Sequence, residues 1–189
     1  MTFLELAQKR RSVRKFENKA VEPEKIERLL NIASLAAKAF KAKDSGLIIV
    51  DEPEKTSSLK AAIVSGWQGK INPWIYVTRF PAVIVLLGKH PGDHPHRNSL
   101  LYLPPSAMIM ETVVMAAAEM DLGTCWMAGF NADAVVKELA LPPPWRPIVV
   151  SPLGYPTKKG KLEMVSRTVA QSDRRKSIQE IFTIRESAG

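Results

Sequence analysis

The segment Arg10-Arg11-Ser12-Val13-Arg14-Lys15-Phe16 is the densest run of side chains able to hold an anion. If residues 11–16 are extended, Ser12, Arg14 and Phe16 share one face, and the end of a preceding helix adds Arg10. Three guanidiniums and a hydroxyl offer many donors and no competing carboxylate. Such a set suits a phosphomonoester, which carries about −1.5 to −2 charges at pH 7 and three acceptor oxygens. Residues 1–43 hold 11 basic and 5 acidic side chains, and residues 158–176 hold 7 basic and 2 acidic, within a formal net charge of +8. Residues 44–157 are slightly acidic. Two compact basic clusters far apart in sequence fit a small phosphate ligand at least as well as a polyanion. A nucleic-acid binder spreads Lys and Arg along a stripe with exposed aromatics. Here the basic segments contain only Phe3, Phe16 and Phe40. The plain alternative is a solvated basic surface.

The elements that must position these residues can be read from spacing. Thr2 to Arg10 is a short helix with Phe3, Leu6 and Ala7 on one face. Pro23 opens an amphipathic helix over 23–42, with Ile26, Leu29, Leu30, Ala33, Ala36, Ala37 and Phe40 at helical spacing. Residues 46–50 form a strand, Pro53 opens a helix to about Val64, and residues 65–79 form a loop rich in aromatics. Pro81 to Gly88 is an apolar strand. A helix over roughly 105–122 is apolar nearly all round, so it is either central to the fold or an interface; Gly123 is expected to cap it. Within it, Glu111 either pairs across a dimer or faces solvent at an edge. Asn131 caps a helix to Ala140, a strand starts at Ile148, and a short helix lies near Ile178–Ile181. The expected class is α+β: a mixed or antiparallel sheet flanked by helices, with a long central apolar helix, in a single domain spanning residues 1–189.

Composition excludes several classes. Apolar residues make up 46% and charged residues 24%, which is ordinary for a globular chain. The apolar run Val113–Ala118 is far shorter than the roughly 20 residues of a membrane span. The first residues carry no apolar signal core. One cysteine, Cys125, excludes an internal disulfide framework and a Cys-based zinc site. These features point to a soluble cytoplasmic protein.

The opening Arg-x-Ser-x-Arg-x-Phe motif resembles that of the nitroreductase family of flavoenzymes. The resemblance continues at Leu122-Gly123-Thr124-Cys125-Trp126-Met127-Ala128-Gly129-Phe130, at Leu139 to Pro142, at Leu153-Gly154-Tyr155-Pro156, and from Arg174 to Phe182. It implies an FMN-binding fold and a homodimer with flavin at the interface. Arg10, Arg11 and Ser12 match positions that hold the flavin phosphate and ribityl chain, and Arg14 matches a basic position near N1 and the C2 carbonyl. Ala128 and Gly129 match a turn whose amides face N5. Arg175 matches a residue closing over the phosphate, with Arg174 and Arg167 as weaker candidates. Many members carry Pro-Ser, Asn and Gln-Pro-Trp before the first strand. Here the Asn and Gln positions are Lys41 and Lys43. Either a lysine replaces the amide contact to the ring, or the pocket differs.

The implied activity is hydride transfer from NAD(P)H through FMN to a small oxidised acceptor, nitroaromatic or quinone-like, with the chemistry carried by the cofactor. Two alternatives are a flavin- or phosphate-binding protein without turnover and, below it, a basic nucleic-acid-binding module. No catalytic triad and no Gly-x-Gly-x-x-Gly loop is present. His90, His94 and His96 with Asp93 read as a polar loop rather than a metal site. Cys125 reads as a small buried apolar residue rather than a reactive thiol.

Overall fold

The computed structural model describes residues 1–89 and 102–157. His90, His94, His96, Arg167, Arg174, Arg175 and the expected helix near Ile178 lie outside the described residues.

The centre is strand β2 (Ala82–Lys89), every residue of which is buried up to Gly88. Its side chains alternate between two apolar layers. Ala82, Ile84 and Leu86 enter one cluster, and Val83, Val85 and Leu87 enter the other. A strand covered on both faces reads as an unbroken apolar run, which is how it looks in sequence. β2 pairs antiparallel with β1 (Ser45–Val50) on one side and β4 (Trp145–Gly154) on the other. The two-residue β3 (Gly123–Thr124) completes the order β1-β2-β4-β3. All three strand pairings are antiparallel, and the isolated Ser12–Thr124 bridge is parallel.

Helices cover both faces. α2 (Pro23–Ala39) packs against α5 (Leu103–Glu119) over the first cluster. α3 (Pro53–Val64) packs against α6 (Ala132–Glu138) over the second. α5 buries Ile109, Met110, Val113, Val114 and three alanines, so it is the central helix its composition implies. α1 (Phe3–Lys9) begins with a capping box from Thr2 and Glu5 and lies along α5 while leaving Phe3 77% exposed.

Gly123 does not cap α5. The helix ends in a Schellman-type turn in which Asp121 takes the left-handed conformation (φ 62°) and Leu122 N–H donates to the Ala117 carbonyl at 2.8 Å. Asp is among the few residues that visit this region readily, and its carboxylate accepts from Lys9 at 2.7 Å. The aromatic segment also differs from a plain loop. It holds a 3₁₀ turn (Trp67–Ile71) and a single-turn helix, α4 (Trp74–Val77).

Candidate functional site

Residues 12–17 form no regular strand, yet four hydrogen bonds fix their backbone, three of them within two isolated bridges. Val13 N–H donates to the Thr124 carbonyl at 2.8 Å, Ser12 bridges to Thr124, and Phe16 bridges to Pro156. Glu17 N–H donates to the Tyr155 carbonyl at 2.8 Å, and Thr157 N–H to the Lys15 carbonyl at 3.2 Å. The buried Thr78 hydroxyl donates to the Arg14 carbonyl at 2.9 Å. Val13 and Phe16 are both buried in the second cluster. The expected alternation therefore fails at Phe16, which turns inward rather than sharing a face with Ser12 and Arg14. Isolated bridges let the chain twist between them, so period-2 pleating is not imposed.

Arg14, Ser12 and Arg10 all lie near enough to Cys125 to act on its thiol. Burial pushes the Cys125 thiol up from its ordinary value; Arg14, the Ser12 hydroxyl and Arg10 act in the opposite direction. The net direction is upward, so the thiol stays protonated near neutrality and is inert. Cys125 is therefore expected to react with a thiol reagent at pH 8 orders of magnitude more slowly in the native protein than after unfolding. A stopped-flow trace showing equal rates would contradict this. Arg10 also faces Glu111 of α5 at 3.8 Å, with the Arg10 side chain 26% exposed and Glu111 51%. Glu111 thus has an intrachain partner. Arg11 is half-buried.

From Thr124 the chain runs directly to the Ala128–Gly129 turn. Met127 and Val150 exchange both backbone hydrogen bonds, at 2.9 and 3.1 Å, which fixes the turn's start. Asn72 Nδ2 donates to the Gly129 carbonyl at 2.9 Å. A Cβ on Gly129 would meet Ile71 at 2.8 Å, so the turn approaches the 3₁₀ segment as closely as glycine allows. Ala128 is exposed. Asn72 and Thr78 are positioning residues that sequence reading missed, since neither lies in a motif.

Tyr155 secures the far end of the segment. Its hydroxyl donates to Glu22 in a very short hydrogen bond and accepts from Lys25 at 2.7 Å, while the Lys19 ammonium lies 4.0 Å from its ring centroid. The Tyr155 hydroxyl, above all, holds the Glu22 carboxyl at about 2, against 4.5 for a free one. A depressed carboxyl contributes stability that is present above its unfolded value and lost as pH falls toward the folded one. Glu22→Gln is therefore expected to flatten the pH dependence of unfolding between about 4.5 and about 2. An unchanged slope in acid titrations followed by circular dichroism would count against the contact.

Lys41 and Lys43 do not join this site within one chain. Both are exposed on the turn between α2 and β1, with Lys41 in the left-handed region (φ 50°). Ser45 pairs with Gly88, and Gly88 pairs with Arg146 at the start of β4. Thr124, the neighbour of Ser12, pairs with Leu153 at the other end of β4. Seven residues along the strand and three strand spacings across place the two ends about 25 Å apart. Arg174 and Arg175 remain expectations of the resemblance. Among the described residues there is no group of three His, Cys, Asp or Glu able to hold a metal, and no helix long and apolar enough to cross a membrane.

The model of the nitroreductase family matches residues 7–81 and 79–155. The chain belongs to the nitroreductase family. Solved structures agree with this assignment. A nitroreductase family protein from Clostridium difficile 630 is 25% identical, with 98% of this chain and 99% of that one covered and a TM-score of 0.73. A protein provisionally assigned as an NADH dehydrogenase/NAD(P)H nitroreductase from Bacteroides thetaiotaomicron VPI-5482 shares the fold at 22% identity, 97% and 96% coverage and a TM-score of 0.71. So does an FMN-dependent nitroreductase from Clostridium difficile R20291, at 21% identity, 84% and 90% coverage and a TM-score of 0.67. Membership in the nitroreductase family makes an oxidoreductase the general class. It also accounts for the motif at residues 10–16 and the 122–130 segment lying side by side.

Proposed function

We propose that this chain is an FMN-dependent oxidoreductase that takes reducing equivalents from NADH or NADPH and passes them to a small oxidised acceptor, nitroaromatic or quinone-like, in the cytoplasm. The observation that carries the reading is the gathering of Arg10, Ser12 and Arg14 on a backbone segment fixed by Thr124, Thr78 and Tyr155. Their chemistry fits FMN: guanidiniums for the phosphate, a hydroxyl for the ribityl chain, and a neutral thiol adding no negative charge. The FMN-dependent relative on the same fold supports the choice of ligand.

Arg10, Arg11 and Ser12 would hold the phosphate and ribityl chain. Arg14 would stand at the N1 and C2 carbonyl edge, and the Ala128 and Gly129 amides would face N5. Bound there, FMN supplies the two-electron redox chemistry. Arg14 contributes a fixed cation that stabilises negative charge at the ring edge. The Ala128–Gly129 turn contributes backbone donors already tied down by Asn72 and Val150, so little reorganisation is needed.

The reading includes a homodimer with the site at the interface. Lys41 and Lys43, some 25 Å away in the same chain, can reach the site only from a second copy. Phe3 (77% exposed), Leu4 (67%) and Met108 (46%) on the adjacent α1 and α5 supply an apolar surface for that copy.

Purified protein should be yellow and release FMN on denaturation, and NADH or NADPH should bleach it without oxygen. Colourless protein that takes up no added FMN would overturn the reading. Bound flavin that neither nucleotide reduces would favour a binding protein on this scaffold, the outcome that Lys41 and Lys43 make worth testing.

A further inference from the structure

A cleft of about 570 Å³ opens where β1 ends and β2 begins, and none of residues 10–14 lines it. Lys60 and Arg79 line it, as do Phe80 and Pro81. The Lys60 ammonium is pinned, donating to the Thr78 carbonyl at 2.7 Å and the Tyr76 carbonyl at 3.4 Å. Neither Lys60 nor Arg79 forms an ion pair with a described residue. Burial, and then the neighbouring Arg79, pull the Lys60 ammonium below the usual lysine range. Two cations line one cleft with no carboxylate at ion-pair distance from either, so an anion seated between them gains from both. Phe80 and Pro81 give the cleft an apolar portion among polar neighbours such as Thr56 and Ser57. Phe80 is buried, with its ring centroid 5.8 Å from the Lys60 nitrogen.

The same cleft carries Glu17 and Asp51, which also lack an ion-pair partner among the described residues. Lys19 lines it too, but its charge is taken up by Glu22 at 3.0 Å. One negative charge on a ligand gains Lys60 and Arg79. Glu17 and Asp51 balance those two cations, so the cleft offers no net positive field to reward a second negative charge, which favours a monoanion over phosphates and nucleotides.

We propose that this cleft binds a small organic monocarboxylate with an apolar body, its carboxylate on Lys60 and Arg79 and its body against Phe80 and Pro81. Its lining includes none of the side chains proposed to hold FMN, so it can be tested with or without flavin bound. The test uses the full-length protein with phenylacetate as probe, followed by calorimetry and by amide shifts in NMR spectra. Saturable binding at one site is expected, with a dissociation constant on the order of 1 mM. Lys60→Gln and Arg79→Gln should each weaken it roughly fivefold or more, and together abolish it. Arg14→Gln should leave it unchanged, and phenyl phosphate should bind less tightly than phenylacetate. Thermal melts show which variants remain folded, and Arg79→Gln, at an exposed position, tests the claim if Lys60→Gln does not. No saturable binding at tens of millimolar, binding that survives the double variant, loss of binding in Arg14→Gln, or tighter binding of phenyl phosphate would each overturn the proposal.

Discussion

Arg10→Ala is expected to weaken FMN binding by roughly tenfold to a hundredfold, the range set by about 1.5–3 kcal/mol for a hydrogen bond to a charged group. The guanidinium is only 26% exposed, so its contact with a phosphate is less screened than one on an open surface. Its position does not depend on the ligand. Arg10 is the C-cap of α1, and its backbone N–H donates to the Leu6 carbonyl at 2.9 Å. Glu111, at 3.8 Å and half-exposed, is a loose counterion that a closer, more highly charged phosphate displaces. The partner experiment follows from that competition. Glu111→Gln should tighten FMN binding a few-fold while Arg10→Ala loosens it, both read by quenching of flavin fluorescence. Wild-type affinity in Arg10→Ala would show that the phosphate does not lie on Arg10, whatever the fate of the fold.

What could be read from the chain separates cleanly by the range of the interaction. β2 was legible because both its faces are covered, and α3 because Pro53 marks its first turn. Asn131 was legible because its cap is local; its side chain accepts from Ala134 N–H at 3.1 Å. The candidate site was legible as a motif but not as a shape. Thr78 and Asn72 reach Arg14 and Gly129 across 64 and 57 residues, and no spacing rule announces such contacts. Phe16 faces inward because long-range bridges, not strand pleating, set the segment's twist. Gly123 looked like a helix cap because it follows an apolar helix, but the left-handed position two residues earlier is filled by Asp121, which Lys9 partners. Lys41 and Lys43, which the resemblance matches to the family's amide positions, stand at the opposite corner of the sheet from Thr124, a separation visible only once strand order is known.

That reassignment of Gly123 gives the other large effect. Gly123→Val is expected to destabilise the protein by about 1–3 kcal/mol and to weaken FMN binding with it. A Cβ on Gly123 would meet Val13 Cβ at 2.7 Å and both its methyls at 2.8 Å. Val13 is 5% exposed, and its Cβ, the nearest atom in the clash, does not move when the side chain changes rotamer. The backbones must separate instead. Separation breaks the hydrogen bond from Val13 N–H to the Thr124 carbonyl and the Ser12–Thr124 bridge, and carries Ser12 and Arg14 with it. Tm should fall by about 2–4 °C for each kcal/mol lost, and flavin affinity should fall alongside. Arg10→Ala, by contrast, should lower affinity with Tm little changed. Relief depends on which atom is in the way. Since Val13 Cβ is itself the nearest contact, Val13→Ala leaves the clash in place, whereas Val13→Gly removes it. Rescue of flavin affinity in Gly123→Ala by Val13→Gly but not by Val13→Ala would locate the constraint at that pair of Cβ positions. Wild-type Tm and affinity in Gly123→Val would mean that the 10–16 segment is positioned by something other than β3.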